Sequence, residues 1–209
     1  LFKLKGAKGM LEEAKSPEDA KFIIPLLRHV VRESPKSQMF HFLLGMGCTK
    51  AEEYELALEA FKTAADLDPN NAQSFSYLAD TFLKLGRMSE ALSHFEIALG
   101  IDPRSADSNF RYAEALTMTG QTEKAIEHYR KSFESFPGYA VVHVRLAQAY
   151  KRLNRAAEAE EQFREGERLL ESALATEPRD VESRFRLGTV FLNTDRFSEA
   201  AQTFRAVLQ

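Results

Sequence analysis

Apolar and small residues recur along this chain on two scales. At short range they fall three and four residues apart, the spacing of one face of an α-helix. At long range the same residue types return every 34 residues: prolines stand at 35, 69, 103 and 137, and the next follows at 178 after a gap of 41. Ala57, Ala91, Ala125, Ala159 and Ala200 keep these steps, and so do the aromatic residues Phe61, Phe95, Tyr129, Phe163 and Phe204. A fixed period of this length marks a tandem repeat in which each copy is one supersecondary element. Counted so that its proline is position 32, the repeat occupies residues 38–71, 72–105, 106–139, 140–180 and 181–209.

Within a repeat, position 7 is Leu44, Leu78, Tyr112, Leu146 or Leu187, and position 8 is Gly45, Ala79, Ala113, Ala147 or Gly188. A large residue beside a small one predicts close helix contact. Position 11, occupied by Cys48, Phe82, Leu116, Tyr150 and Phe191, extends that face and completes a first helix. At position 15, Gly86, Gly120, Asn154 and Asp195 tolerate left-handed backbone angles and predict a turn. A second helix then carries the alanine at position 20 and the aromatic at 24, and the proline stops it. This order of leucine, small residue, aromatic, alanine, aromatic and proline resembles the tetratricopeptide repeat over about four fifths of the chain. The family's usual tryptophan at position 4 is replaced by His41, Phe75, Asn109, His143 and Arg184. The resemblance implies an all-α, right-handed superhelical solenoid of tandem helix-turn-helix hairpins, used as a non-catalytic scaffold for binding.

Two regions depart from the pattern. The fourth repeat gains its extra residues in the proline-free stretch 156–176. Seven residues are about two helical turns and rotate the following face by only ~20°. Gly166 and Ala173 therefore both qualify for the small position 27, and the spacing predicts a lengthened second helix whose ledge is a candidate docking surface, against a harmless elongation or a split into two helices. Near the N-terminus, Ser16 is a helix cap followed by Pro17, Glu18 and Asp19, and a helix is predicted to about Glu33. Ile23, Leu27 and Val30 fall at the core positions of a divergent second helix, which Pro25 is expected to kink. Residues 16–37 thus read as a divergent capping helix. Residues 1–15, with Lys3, Lys5, Gly6, Lys8 and Gly9, read as a poor helix former and hence a leader or linker. The absent initiator methionine reads as a fragment. The chain stops at Gln209 inside the second helix of the fifth repeat with no polar capping helix after it, so either the native chain continues or this end pairs with another subunit, and self-association or partner-dependent stability is expected.

Composition narrows the function classes. With 44% hydrophobic and 28% charged residues and a mean hydropathy of −0.35, the chain is of ordinary globular make-up. No apolar run approaches the ~20 residues of a membrane-spanning helix, so membrane insertion is not expected. One cysteine, Cys48, excludes an intramolecular disulfide framework. A net charge of −3 supplies no global attraction to nucleic acid. Nothing fixes the compartment, with the cytoplasm favoured.

The search for chemistry returns no nucleophile elbow, phosphate-binding loop or paired metal ligands, so no catalytic residue, cofactor or metal is expected. Gly45-Met46-Gly47 falls inside a first helix, and Cys48 takes a core position. His94 and His128 share position 23 of neighbouring repeats, but no third ligand accompanies them; His41 and His143 read as packing substitutes for the missing tryptophan. The informative face lies opposite the packing face of the first helices. Position 6 there is Leu43, Tyr77, Arg111, Arg145 and Arg186, and position 5 is Phe42, Ser76, Phe110, Val144 and Phe185. The resemblance implies that this face lines a concave groove, which makes Tyr77, Phe110, Arg111, Arg145 and Arg186 the candidate partner-binding residues. Arginine offers a planar fork for carboxylate or phosphate and stacks on aromatic rings. In competition, Arg111 with Glu114 three residues on reads as a solvated ion pair worth a few tenths of a kcal/mol. Family members that grip a C-terminal carboxylate use Lys and Asn at positions 5 and 9, Asn at 6, and Lys and Arg at 2 and 6 of three successive repeats. Neither Phe42, Met46, Tyr77, Asp107 and Arg111 nor Ser76, Asp80, Arg111, Val141 and Arg145 fits that set. The reading is an interaction module that takes an acidic or amphipathic protein segment. A self-assembling scaffold, or the regulatory repeat region of a larger enzyme such as a transferase, is the alternative.

Overall fold

The computed structural model describes residues 2–208, without the side chains of residues 2–5 and 7, so Lys3 and Lys5 lie outside the described side chains. Among the described residues there are helices and no strands, arranged in two compact bodies, Leu1–Pro103 and Arg104–Gln209. The first body holds α1 (Phe2–Glu13), α2 (Pro17–Glu33), α3 (Gln38–Lys50), α4 (Tyr54–Leu67), α5 (Ala72–Lys84) and α6 (Met88–Ile101). The second holds α7 (Ala106–Met118), α8 (Thr122–Ser135), α9 (Ala140–Arg152), α10 (Ala156–Thr176), α11 (Val181–Asn193) and α12 (Phe197–Arg205). In each body the helices pack in chain order, first helix on second and second on the next first.

Five turns share one construction. Gly86, Gly120, Asn154 and Asp195 adopt φ of +72°, +76°, +58° and +61°, as their types predict, and Glu52 joins them at +61° although glutamate is poorly suited to that region. The next residue's N–H then reaches back to the carbonyl at position 11, as Glu53 does to Cys48 at 2.8 Å, Arg87 to Phe82 at 2.9 Å and Arg196 to Phe191 at 2.8 Å. This bond satisfies a carbonyl that the helix end would leave open. At three turns an arginine lies over the aromatic ring of position 11, Arg87 on Phe82, Arg155 on Tyr150 and Arg196 on Phe191, and each also pairs with a glutamate three residues on.

In the first and fifth repeats the aromatic of position 24 presses on the glycine of position 8. A Cβ placed on Gly45 would stand 2.6 Å from the ring of Phe61, and one on Gly188 would stand 2.6 Å from the ring of Phe204. Ala79, Ala113 and Ala147 hold the same position elsewhere and are fully buried. Phe95, Tyr129 and Phe163 are the corresponding aromatics and are buried as well.

Three regions depart from or extend this scheme. Residues 2–13 form a helix where the sequence read a leader or linker. Gly6 and Gly9 weaken its propensity, but Leu11 and Ala14 are buried with Ile23, Leu27 and Leu43, and this packing overrides the local preference. Helix α2 starts at a full capping box of Ser16 and Asp19 and runs through Pro25 to Glu33, burying Ile23, Leu27 and Val30. Helix α10 spans 21 residues against 14 in each of α4, α6 and α8. Gly166 is buried in it, 3.1 Å from Val144 at the Cβ position, whereas Ala173 is exposed and takes no equivalent role.

Relieving the left-handed glutamate should stabilise the chain. Glu52→Gly is expected to raise the unfolding free energy by about 1 kcal/mol and Gly86→Glu to lower it by a similar amount, read from chemical denaturation. Phe95→Ala, which empties a notch, should cost about 3–5 kcal/mol in the same measurement.

Candidate functional site

The position-6 side chains meet different surroundings in the two bodies. In the first, Leu43 is buried in the cluster that α1 closes, so no open groove begins there. Tyr77 is half-buried, its ring 5.1 Å from Phe42 and 5.6 Å from Phe61. It is part of the packing of α3, α4 and α5 as much as it is surface.

In the second body, α7, α9 and α11 carry Arg111, Arg145 and Arg186. Their side chains are 27%, 42% and 31% exposed. Each stands beside a carboxylate of the chain. Arg111 Nε donates to Asp107 at 2.7 Å, Arg145 Nε lies 3.4 Å from Glu114, and Arg186 Nη2 lies 2.5 Å from Glu182. The pattern has a sequence logic. Asp107 and Glu182 occupy position 2, one helical turn before the arginine, while the fourth repeat has Val141 there and draws on Glu114 of the preceding repeat. Glu114, which the sequence assigned to Arg111, is thus engaged across the repeats by Arg145 and also accepts the hydroxyl of Tyr129. Arg145 Nη1 further donates to Gln148 at 3.2 Å.

Aromatic side chains line the same region. Phe110 is half-buried, its ring 5.9 Å from Tyr129 and 5.4 Å from Tyr139, and the exposed Phe136 lies 6.0 Å from Tyr139. Burial and then the Asp107 carboxylate raise the Tyr139 phenol, while Arg111 and Arg186 pull it down. One phenol therefore feels charges from α7 and α11 together. Tyr139, Asp107 and Glu182 were not singled out from the sequence, although the position-2 acids were open to detection as i, i+4 partners of arginine.

A cleft of about 490 Å³ opens in the second body between α10 and the α11–α12 turn, with Phe163 and Ala159 among its lining residues. Positions 14, 17 and 21 are half-buried Leu85, Tyr54 and Leu58 in the first body, but Thr194, Ala156 and Glu160 here. Arg196 bridges to Glu167 at 2.7 Å and Lys151 donates to the Asn193 carbonyl at 2.7 Å beside that space.

His94, His128 and His143 pack between neighbouring helices, whereas His29 is exposed beside Glu33. His94 bonds the Glu90 carbonyl at 2.8 Å and lies beside Phe82, His143 meets Gln162 at 2.8 Å, and His128 Nδ1 meets Asn109 Oδ1 at 2.9 Å. Cys48 is buried, and burial pushes its thiol up to about 11. Among the described residues no group of three or more His, Cys, Asp or Glu is placed to hold a metal, and no helix is long and apolar enough to cross a membrane. Burial lowers the His128 pKa below its ordinary 6.5. The unfolded chain then binds the proton more readily, so the neutral imidazole's contribution is complete above that value and is lost as pH falls through the folded pKa. His128→Gln is expected to flatten the fall in melting temperature as pH drops below the ordinary imidazole value of 6.5.

Comparison with known proteins agrees with this architecture. Family models described as tetratricopeptide repeat match residues 78–140, 144–209 and 118–167, and one described as TPR repeat matches residues 48–86. Among solved structures, MamA from Desulfovibrio magneticus RS-1 is 20% identical over 81% of this chain and 96% of its own, with a TM-score of 0.67. TTC0263, a thermophilic TPR protein of Thermus thermophilus, is 18% identical over 91% of this chain and 98% of its own, with a TM-score of 0.73. Human IFIT1, solved as a dimer with PPP-AAAA, is 16% identical over 99% of this chain and 49% of its own, with a TM-score of 0.74. At these identities the likeness is one of fold. No curated protein matches the sequence. The family matches cover more than half of the residues and coincide with the helical hairpins, and the chain belongs to the tetratricopeptide repeat family.

Proposed function

We propose that the chain is a non-catalytic protein-interaction module whose working surface is the first-helix face of the second body, where an extended or amphipathic partner segment docks. Membership of the repeat family supports an interaction role in general. The observation that carries the finer reading is the row of half-exposed arginines, Arg111, Arg145 and Arg186, in register on three first helices beside Phe110 and Tyr139. Guanidinium edges supply directional hydrogen bonds and the rings supply apolar contact, the combination enriched where binding energy concentrates. Tyr77 of the first body belongs to the same repeat position and is proposed as a further contact.

The charge arrangement favours a protein segment over a nucleic acid backbone. Each arginine stands beside a carboxylate, so the face lacks the unbroken positive stripe that phosphate binding requires.

The proposal is tested by selecting binders from a displayed random-peptide library and re-measuring them on Arg145→Glu with Arg186→Glu. Binding is expected to fall at least about tenfold while the melting temperature stays within a few degrees. Selected peptides that bind the variant unchanged would remove this face from consideration.

A further inference from the structure

The buried aromatic of position 24 is phenylalanine in four of the five repeats, Phe61, Phe95, Phe163 and Phe204, and tyrosine only in the third, as Tyr129. A buried phenol needs a hydrogen-bond partner. Tyr129 is 1% exposed and donates its hydroxyl to Glu114 Oε1, with Thr117 Oγ1 3.4 Å away. Burial and the neighbouring Glu114 carboxylate hold the phenol far above the ordinary tyrosine range, so it stays protonated and remains a donor. Glu114 is thereby tied from below, and its Oε2 faces Arg145 Nε at 3.4 Å. That Nε is itself buried without a hydrogen-bond partner, because the contact to Glu114 has ion-pair distance but not hydrogen-bond alignment.

The other carboxylates of the row differ. Glu182 is 66% exposed, one helical turn from Arg186 on the same helix. Such pairs are worth only a few tenths of a kcal/mol and yield readily to a ligand carboxylate. Glu114 is 31% exposed and anchored by a buried donor, so it stays where it is. A ligand carboxylate brought to Arg145 meets this fixed negative charge, whereas a ligand cation finds an acceptor with lone pairs to spare.

The geometry points to a partner segment of mixed charge, with a basic residue over Glu114 and an acidic residue over Arg186, in place of a uniformly acidic one. This rests on the groove reading above and names the partner's chemistry. Glu114 stands on α7 and reaches toward Arg145 on α9, while Arg186 stands on α11. The two charges are therefore separated by between one and two first-helix spacings, roughly 8–20 Å at ~8–10 Å for each packed pair. An extended segment advances ~3.3 Å per residue, so the two charges stand about three to six residues apart. Tyr129 is a positioning residue: it touches no partner and acts by holding Glu114.

The test measures binding, by fluorescence polarisation at low salt, of labelled peptides of equal length on one neutral background. The peptides carry a lysine and a glutamate about three to six residues apart in either order, two glutamates, or two lysines. One of the mixed peptides is expected to bind the wild-type protein about tenfold more tightly than the two-glutamate peptide. Glu114→Gln should abolish that preference. Tyr129→Phe, which matches the residue of the other repeats, should reduce it with the fold retained by circular dichroism. Equal or tighter binding of the two-glutamate peptide, or an unchanged preference in Glu114→Gln, overturns the inference and leaves the groove intact as a binding face. Failure of every peptide to bind the folded wild-type protein overturns the groove reading and the inference together.

Discussion

The seating of one aromatic ring against one small residue, position 24 on position 8, governs this architecture. Phe61 over Gly45 and Phe204 over Gly188 leave no room for a Cβ, so helix separation in those hairpins is set by the ring itself. Interiors are packed to crystal-like density and transmit such constraints. Once the ring fixes how the second helix lies against the first, the opposite side of the first helix is the side left for other partners. The register of positions 2, 6 and 9 on that side follows from helical geometry. The arginine row is therefore a consequence of where the rings sit.

The same interlock links core and surface in the third hairpin. Replacing phenylalanine by tyrosine at the notch preserves the shape that packing requires but introduces a hydroxyl that cannot be left unpaired. Glu114 answers it from the first helix of the same hairpin. A residue whose position is dictated by the core thus holds a charge on the face, and Arg145, which has Val141 where its neighbours have an acid, depends on that charge. Core packing and surface charge meet in one hydrogen bond.

What the sequence revealed divides along the line between periodic and non-periodic information. Helix starts at Gln38, Ala72, Ala106, Ala140 and Val181, the long α10 and the left-handed residues at Gly86, Gly120, Asn154 and Asp195 all follow from residue types that recur or have strong backbone preferences. Glu52 was hidden because its angle is imposed by the repeat and not by its own propensity. Helix α1 was hidden because its glycines argue against a helix that the burial of Leu11, with the adjoining Ala14, supports. The arginine row itself was legible at position 6, but its partners were not. Pairing Glu114 with Arg145 needs the distance between successive repeats, which no one-dimensional spacing contains.

Those partners change what the row means. Three arginines counted along a sequence suggest an electropositive ladder, yet their neighbours Asp107, Glu114 and Glu182 make the face nearly neutral at close range. Long-range steering by such a face is weak, because opposite charges a few ångströms apart cancel beyond a Debye length. In the proposed binding role, discrimination rests on contact: which carboxylates yield and which stay. A helix-local pair such as Arg186 with Glu182 opens at small cost, while Glu114 is tied to a buried phenol. In the proposed binding role, selectivity follows from the unequal anchoring of these acids, and the core residue Tyr129 sets that inequality.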